Sequence, residues 1–345
     1  MVRKAKVHVL GATGLVGQRF LQSLWRHPWF EVTGVAASER SAGKTYLSAA
    51  KWVLDWSMPP EFAGLEVQPV DRTDVDADFI FSALPADAAR EVEPKFAAAG
   101  HVVCSNASAY RMEPDVPLLI PEINPDHLGL LPAQRKRRKW KGALVTNPNC
   151  TTVFLAMALA PLRPFSIEEV HVATLQAVSG AGYDGVPSMA VTDNVIPHIG
   201  GEEPKVEAEP RKILGKLKGG RIEEAPFEVA ASCHRVPVLD GHTEAVLVRF
   251  SKVPRLDEVV EAWKEMKSTG TPTAPERPLI VREEENRPQP RLDRDAGKGM
   301  ATTIGRAAFK GRWLRFVCLG HNTIRGAAGA SVLNAELLLK DGWLK

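Results

Sequence analysis

Cysteine is scarce. Four in 345 residues are too few for a disulfide framework, and none stands at the paired C-x-x-C spacing of a zinc or redox site. No metal is expected, and each cysteine has to be weighed alone. Charge of one sign is equally thin: 44 Lys and Arg against 41 Asp and Glu leave a net charge of +3, so nothing argues globally for a nucleic-acid partner. The one concentrated basic run, Arg135-Lys-Arg-Arg-Lys139, reads as a solvated loop, because no aromatic-interleaved or helix-turn-helix pattern surrounds it. Long hydrophobic runs are missing too. The best, Val153 to Leu162, is bounded by Thr152 and Arg163 and falls short of the roughly 18–20 residues that cross a bilayer. No membrane association is expected. The basic start reaches only a short apolar run ending at Leu10, which lacks the core of a signal peptide and makes the cytoplasm the expected location. There is no internal repeat or low-complexity tract.

What is present is a globular composition, 44% hydrophobic and 25% charged, in a chain long enough for two domains with separate cores. The first 150 residues alternate short apolar runs with amphipathic ones, the pattern of parallel α/β structure. Strands are expected at Lys6 to Leu10, Glu31 to Ala36, Asp78 to Leu84 and His101 to Cys104. Helices are expected at Leu15 to Trp25 and near Ala86 to Ala98, with two more short runs at Val116 to Ile120 and Ala143 to Thr146. From about residue 165 the strands lengthen and become rich in β-branched residues, as in Glu169 to Val178, Phe227 to Pro237 and Thr243 to Phe250, which predicts a largely antiparallel second domain. Asn286-Arg-Pro-Gln-Pro-Arg291 reads as an extended arm of the kind that lies across a partner subunit. Trp313 to Leu319 reads as a strand and Gly326 to Leu339 as a closing helix. The division expected is 1–149 for the first domain and 150–325 for the second, with the segment from about 326 to 345 packing back on the first.

Gly11-Ala12-Thr13-Gly14-Leu15-Val16-Gly17 follows the first strand and opens the first helix, the context a dinucleotide-binding loop needs. Gly11 permits the tight turn, Gly14 lets the backbone approach a pyrophosphate, and Gly17 allows close helix packing, with the helix N-terminus supplying the field for an anion. After the second strand comes Ser38-Glu-Arg-Ser-Ala-Gly-Lys44. Glu39 offers a carboxylate for a ribose 2′-hydroxyl, but Ser38, Arg40, Ser41 and Lys44 form a cationic, hydrogen-bonding group suited to a 2′-phosphate, which makes NADP the expected cofactor.

Cys150 lies in Asn147-Pro-Asn-Cys-Thr-Thr at the start of an apolar helical run. A helix N-terminus stabilises a thiolate and would bring the thiol pKa from about 8.5 toward neutrality, making Cys150 the candidate nucleophile. Cys104, Cys233 and Cys318 sit inside apolar strands and read as inert core. A dinucleotide fold followed by such a cysteine points to aldehyde chemistry through a thioester. Of nine histidines, His242 is the best placed proton carrier, in a Gly-containing turn between two strand patterns, whereas His8, His101 and His171 lie within apolar strands. Arg235 precedes His242 by seven positions, so the two can flank one cleft mouth; nothing local prefers Arg235 to its neighbour His234.

These residues resemble the aspartate-semialdehyde dehydrogenase family over nearly the whole chain. The likeness is carried by Gly11 to Gly17, Ser105-Asn-Ala-Ser-Ala-Tyr-Arg111, Asn147-Pro-Asn-Cys-Thr-Thr152, Leu175-Gln-Ala-Val-Ser-Gly-Ala-Gly182, Glu202-Glu-Pro-Lys205, Arg235 with His242, and Asn322-Thr-Ile-Arg-Gly-Ala-Ala-Gly329. The resemblance implies a Rossmann domain joined to an α+β catalytic and dimerisation domain like that of glyceraldehyde-3-phosphate dehydrogenase. It implies NADPH-dependent reductive dephosphorylation of aspartyl 4-phosphate, a step toward lysine, methionine and threonine, in a homodimer or homotetramer. Cys150 would then be the acylated nucleophile, His242 the general acid/base, Gln176 the residue that orients the acyl group and Asn149 part of the oxyanion environment. Arg235 would bind the substrate carboxylate and Glu203 would meet its amino group or help set the site, while Arg111 and Lys205 would hold phosphate. Ser82, Gly180 and Asn322 would join the loop residues around the cofactor. The ending His321-Asn-Thr-Ile-Arg-Gly also resembles the malonyl-coenzyme A reductases, a close paralogue acting on a thioester. A non-catalytic dinucleotide-sensing regulator using the basic run is the remaining alternative.

Overall fold

In the computed structural model, which describes residues 3–343, two six-stranded sheets dominate. The first is built from β1 (Ala5–Leu10), β2 (Phe30–Ala37), β3 (Val67–Pro69), β4 (Phe79–Ser82), β5 (Val102–Ser105) and β6 (Ala143–Thr146) in the order β3-β2-β1-β4-β5-β6. All of its pairings are parallel, which is the doubly wound dinucleotide-binding order. The helices of eight residues or more are α1 (Leu15–Leu24), α2 (Ala86–Ala99), α3 (Leu131–Arg138), α4 (Thr152–Leu159), α5 (Glu203–Ile213), α6 (Leu256–Lys264) and α7 (Gly329–Lys340). Strands β4, β5 and β6 are buried at every position, as expected where helices cover both faces. The run at Val116 to Ile120 forms no strand and contributes one isolated bridge from Leu118 to Thr146.

The second sheet contains β7 (Ile167–Gln176), β10 (Glu228–Arg235), β11 (His242–Phe250), β12 (Leu279–Val281), β13 (Thr302–Lys310) and β14 (Trp313–Gly320), ordered β10-β7-β11-β14-β13-β12; a separate hairpin pairs β8 (Lys216–Lys218) with β9 (Arg221–Glu223). The sheet is mixed: β10 runs parallel to β7 and β12 parallel to β13, while β7, β11, β14 and β13 are antiparallel to one another. Along β7 the period-2 pattern buries Val170, Val172, Thr174 and Gln176 and leaves His171, Ala173 and Leu175 on an exposed face. Helix α4 lies under the buried face. All eight of its residues are buried, each large apolar side chain contributing about 1.5–3 kcal/mol. It packs so closely that a Cβ on Gly320 would lie 2.1 Å from the Phe154 ring.

Helix α7 returns to the first sheet, its Val332, Ala335 and Leu338 sharing a core with Val7, Val9, Phe79 and Phe81. A π-turn over Ile324–Ala328 precedes it, so the helix starts later than the pattern from Gly326 predicts. Of the segment from 326 to 345, residues 344 and 345 lie outside the described residues.

Two expectations fail. The stretch 286–291 is no free arm: Arg287 and Arg282 pair with the buried Asp293, and the Arg287 carbonyl packs against Gly305 of β13. Most of the basic run 135–139 is helical, closing α3. Arg138 is bound by Asp115 and Glu113, and Arg135 donates to the Gly142 carbonyl. Acidic and carbonyl partners brought against these arginines by the fold decide both.

Candidate active site

The two sheets place chemistry-bearing residues at their facing ends. Cys150 follows β6 and precedes α4. Gln176 and Arg235 are the last residues of β7 and β10, paired in register, and His242 opens the neighbouring antiparallel strand β11. Three residues far apart in sequence therefore share one sheet end. Between the sheets is a cleft of about 510 Å³ lined by Cys150, Asn149, Gln176, Arg111, Lys205 and Arg235, together with Glu202, Gly180 and Asn322. Leu15 and Val16 of the glycine loop close its other side.

Cys150 Sγ lies 3.3 Å from His242 Nε2. The Ala177 backbone N–H donates to His242 Nδ1 at 3.0 Å, so the neutral ring carries its proton on Nε2, facing the sulfur. Ala177 is held in turn, its carbonyl accepting from Arg235 Nη1 at 2.6 Å. Burial, and then the neighbouring Arg235 guanidinium, push the His242 pKa down to about 3. Burial, and then the Glu202 carboxylate, push the Cys150 thiol up to about 12, with Arg111, Arg235 and Lys205 pulling the other way. The helix-terminus expectation for this thiol is therefore not met, because burial and Glu202 outweigh it, and the turn residue Asn149 also occupies the helix start. Its Oδ1 accepts from the N–H groups of Thr151 and Thr152 at 2.8 and 3.2 Å, so the first amides of α4 are already satisfied by a neutral side chain. Cys104, Cys233 and Cys318 are buried.

Glu203 is turned away from the cleft and accepts from the Cys233 N–H. Glu202 takes the position expected of it. Its Oε1 accepts from Asn149 Nδ2 at 2.8 Å and Gln176 Nε2 at 2.9 Å, and its Oε2 from Lys205 Nζ at 3.2 Å. Against burial, these partners hold the Glu202 carboxyl below the usual carboxylate range. The sequence carries a signal for this: Glu202 and Lys205 are three apart at a helix start, so they share a face, whereas Glu203 points elsewhere. Ser82, expected beside the cofactor, pairs in register with Leu10 just before the glycine loop. It is fully buried at the end of β4 and lines no part of the cleft.

The glycine loop fits a dinucleotide. Gly11 has φ +70°, and a Cβ there would lie 2.7 Å from the Ala83 carbonyl oxygen; a Cβ on Gly17 would overlap the Gly11 and Ala12 backbone. Gly14 caps α1 without a side chain, and no acidic residue occupies the first turn, which leaves Thr13 to Val16 open to an anion. Ser38 and Arg40 are exposed with Ser41 beside them, and Lys44 Nζ donates to the Arg40 carbonyl at 2.7 Å. On the catalytic side, Asn322 accepts from the Gly241 N–H and donates to Ser179 Oγ. A Cβ on Gly180 would meet Arg235 Nη1 at 2.7 Å and the His242 ring at 3.3 Å. Among the described residues, no group of His, Cys, Asp and Glu could hold a metal ion, and no helix is long and apolar enough to cross a membrane.

Known proteins share this architecture. Residues 6–131 match the family described as semialdehyde dehydrogenase, NAD binding domain, and residues 159–325 match semialdehyde dehydrogenase, dimerisation domain. The chain is 59% identical to an aspartate-semialdehyde dehydrogenase of Archaeoglobus fulgidus over 97% of this chain and 98% of that one. It is 41% identical to a malonyl CoA reductase (NADP) of Metallosphaera sedula over 100% of this chain and 99% of that one. It superposes on the crystal structure of aspartate semialdehyde dehydrogenase with NADP from Candida albicans with a TM-score of 0.89 at 39% identity, covering 98% and 99% of the two chains. The two family matches take in the nucleotide loop and the histidine strand, the relatives match over nearly the whole chain, and on them the chain belongs to the aspartate-semialdehyde dehydrogenase family.

Proposed function

We infer that this chain reduces L-aspartyl 4-phosphate to L-aspartate 4-semialdehyde and phosphate with NADPH, through a thioester on Cys150. The observation that carries the reading is that one carboxylate, Glu202, and one guanidinium, Arg235, face the same cleft as the thiol. An α-amino acid presents both complementary charges, whereas a malonyl group has no ammonium for Glu202.

Arg235, fixed by the Ala177 carbonyl, meets the α-carboxylate, and Glu202 meets the α-ammonium. Arg111 and Lys205 hold the phosphate. Gln176, tied to Glu202 and accepting from Thr174 Oγ1, orients the acyl group, and Asn149 shapes the turn beneath it. A substrate ammonium on Glu202 offsets the charge that adds to burial in raising the thiol pKa, so that Arg111, Arg235 and Lys205 oppose burial alone. The Cys150 sulfur adds to the acyl carbon as a thiolate, its proton passing to the departing phosphate as the carbon–oxygen bond breaks and phosphate leaves with the electron pair. A nicotinamide dinucleotide held by Gly11 to Gly17, with its 2′-phosphate near Ser38, Arg40, Ser41 and Lys44, supplies hydride to the thioester carbon. As the carbon–sulfur bond of the tetrahedral adduct breaks and the oxyanion's electron pair reforms the carbonyl, His242 passes a proton from Nε2 to the departing sulfur and is reprotonated from solvent, and the aldehyde departs.

The division into 1–149 and 150–325, with the last helix returning to the first unit, is the domain arrangement we assign. The exposed face of the second sheet around His171, Leu175 and Leu247 is the surface we assign to a homodimer in the cytoplasm, and a tetramer would add a second contact. Phosphate-dependent reduction of NADP by aspartate semialdehyde tests the assignment. The Metallosphaera relative keeps malonyl-coenzyme A reduction as the second reading. Turnover of malonyl-coenzyme A with NADPH, and none of aspartate semialdehyde, would replace the first reading with the second.

A further inference from the structure

Helix α5 and the residue before it carry a charged stripe, Glu202, Lys205, Glu209 and Lys212, at steps of three and four that keep all of them on one face. Glu202 and Lys205 reach the cleft. Lys212 is a staple whose Nζ donates to the carbonyls of Arg111, Glu113 and Val116 at 2.6, 2.8 and 2.9 Å. Glu209 is 2% exposed and lines no part of the cleft, yet its two oxygens reach two separate pieces of the site. Oε1 accepts from Arg111 Nη1 at 3.0 Å, and Oε2 accepts from the backbone N–H of Asn149, next to the nucleophile, at 2.7 Å. Arg111 is fixed on its other arm by the Asn106 carbonyl, 2.7 Å from Nη2. Its Nε is buried without a partner.

We propose that Glu209 is a positioning residue that sets where phosphate sits relative to Cys150, by bracing Arg111 against the nucleophile turn and offsetting part of its charge. This rests on the reading of Arg111 as a phosphate holder. A single buried carboxylate joins an arginine from one loop to an amide from another, so the spacing between anion and sulfur passes through its two hydrogen bonds. An amide in its place has one acceptor oxygen for two donors. Either the turn or the guanidinium then loosens, and the nearly buried Arg111 is left without a countercharge, a condition that an incoming anion relieves. Turnover and phosphate affinity therefore move in opposite directions, which general loss of structure would not produce.

The test uses the full-length enzyme and reads kcat for phosphate-dependent NADP reduction, the inorganic phosphate concentration that half-protects Cys150 from iodoacetamide, and Tm. For Glu209→Gln, kcat should fall roughly 10–100-fold, the scale of one hydrogen bond to a charged group. The half-protecting phosphate concentration should fall about threefold or more as the anion compensates the unpaired arginine. Glu209→Asp keeps the charge but not the reach, so its kcat should fall with phosphate protection unchanged. Glu336→Gln, in the remote buried cluster with His27 and Thr273, should lower Tm alone. A Glu209→Gln enzyme with kcat within about twofold of wild type, or one that loses turnover and phosphate protection together, overturns the proposal. If Glu209→Gln does not fold, Glu209→Asp decides: unchanged kcat overturns it. Phosphate protection without phosphate-dependent turnover in the wild type would count against the proposed function. Glu209 is then judged on protection, where tighter phosphate binding in Glu209→Gln supports its role and unchanged or weaker binding ends it.

Discussion

The Nε2 of His242 stands 3.3 Å from the Sγ of Cys150 across 92 residues of sequence, with the Ala177 amide on the far side of the ring holding its proton toward the sulfur. Removing that donor should affect chemistry and not nucleotide binding. His242→Asn is expected to lower kcat by about 10²–10⁴-fold while NADP still binds, as followed by fluorescence titration. Unchanged turnover would falsify the assignment of His242.

The free thiol should be slow to ionise. With its pKa pushed up to about 12 by burial and Glu202, the rate of Cys150 alkylation by iodoacetamide should keep climbing from pH 7 to pH 10, about tenfold per unit as the thiolate fraction grows. Glu202→Gln removes the second of those causes and should speed alkylation at any pH in that range. A wild-type rate already level by pH 8 would contradict the burial argument.

Adjacent carboxylates should behave oppositely. Glu202 is tied to Asn149, Gln176 and Lys205, whereas Glu203 faces the Cys233 amide. Glu202→Gln should raise the KM for aspartate semialdehyde or lower kcat by roughly 10–100-fold, and Glu203→Gln should stay within about threefold of wild type. The reverse ranking in steady-state kinetics would restore Glu203 to the site.

Nucleotide preference should lie in the loop after β2. Replacing Arg40 and Lys44 with alanine is expected to raise the KM for NADP about tenfold, through loss of charge-assisted bonds to the 2′-phosphate, and to leave the KM for NAD unchanged. Equal effects on both nucleotides would place the phosphate contact elsewhere.

His8 offers a pH signature unrelated to catalysis. It is buried with Nε2 unpartnered, and burial, with His101 and Arg72 adding, lowers its pKa from 6.5 to about 4. Below pH 6.5 the unfolded chain binds a proton that the folded one refuses, so stability is present above that pH and lost as pH falls toward 4. Wild type should lose up to about 3 kcal/mol relative to His8→Gln over that window. Parallel denaturation curves for the two proteins at pH 4.5 and 7 would rule the effect out.

The central strands were legible because burial on both faces writes continuous apolar runs. Phe79–Ser82 and Ala143–Thr146 fall inside or on the predicted stretches. The segment 286–291 misled for the opposite reason. Its prolines and arginines look solvated, but the buried Asp293 just beyond it, with β13 beneath, binds it to the body of the protein. The run at 135–139 likewise looks like a loop until Asp115 and Glu113 neutralise Arg138.

By itself the order of residues singled out the nucleotide loop, Cys150 as the candidate nucleophile and His242 as the candidate proton carrier, because each rests on local spacing: glycines at a strand-to-helix turn, a cysteine at a helix start, a histidine at a strand mouth. Tertiary structure alone decided that His242 meets Cys150, that Glu202 binds both Asn149 and Gln176, and that Glu209 joins Arg111 to the turn before Cys150. Those outcomes depend on which donor lies within about 3 Å of which acceptor. That separation is fixed by how α5 and the two sheets pack, and local sequence does not encode it.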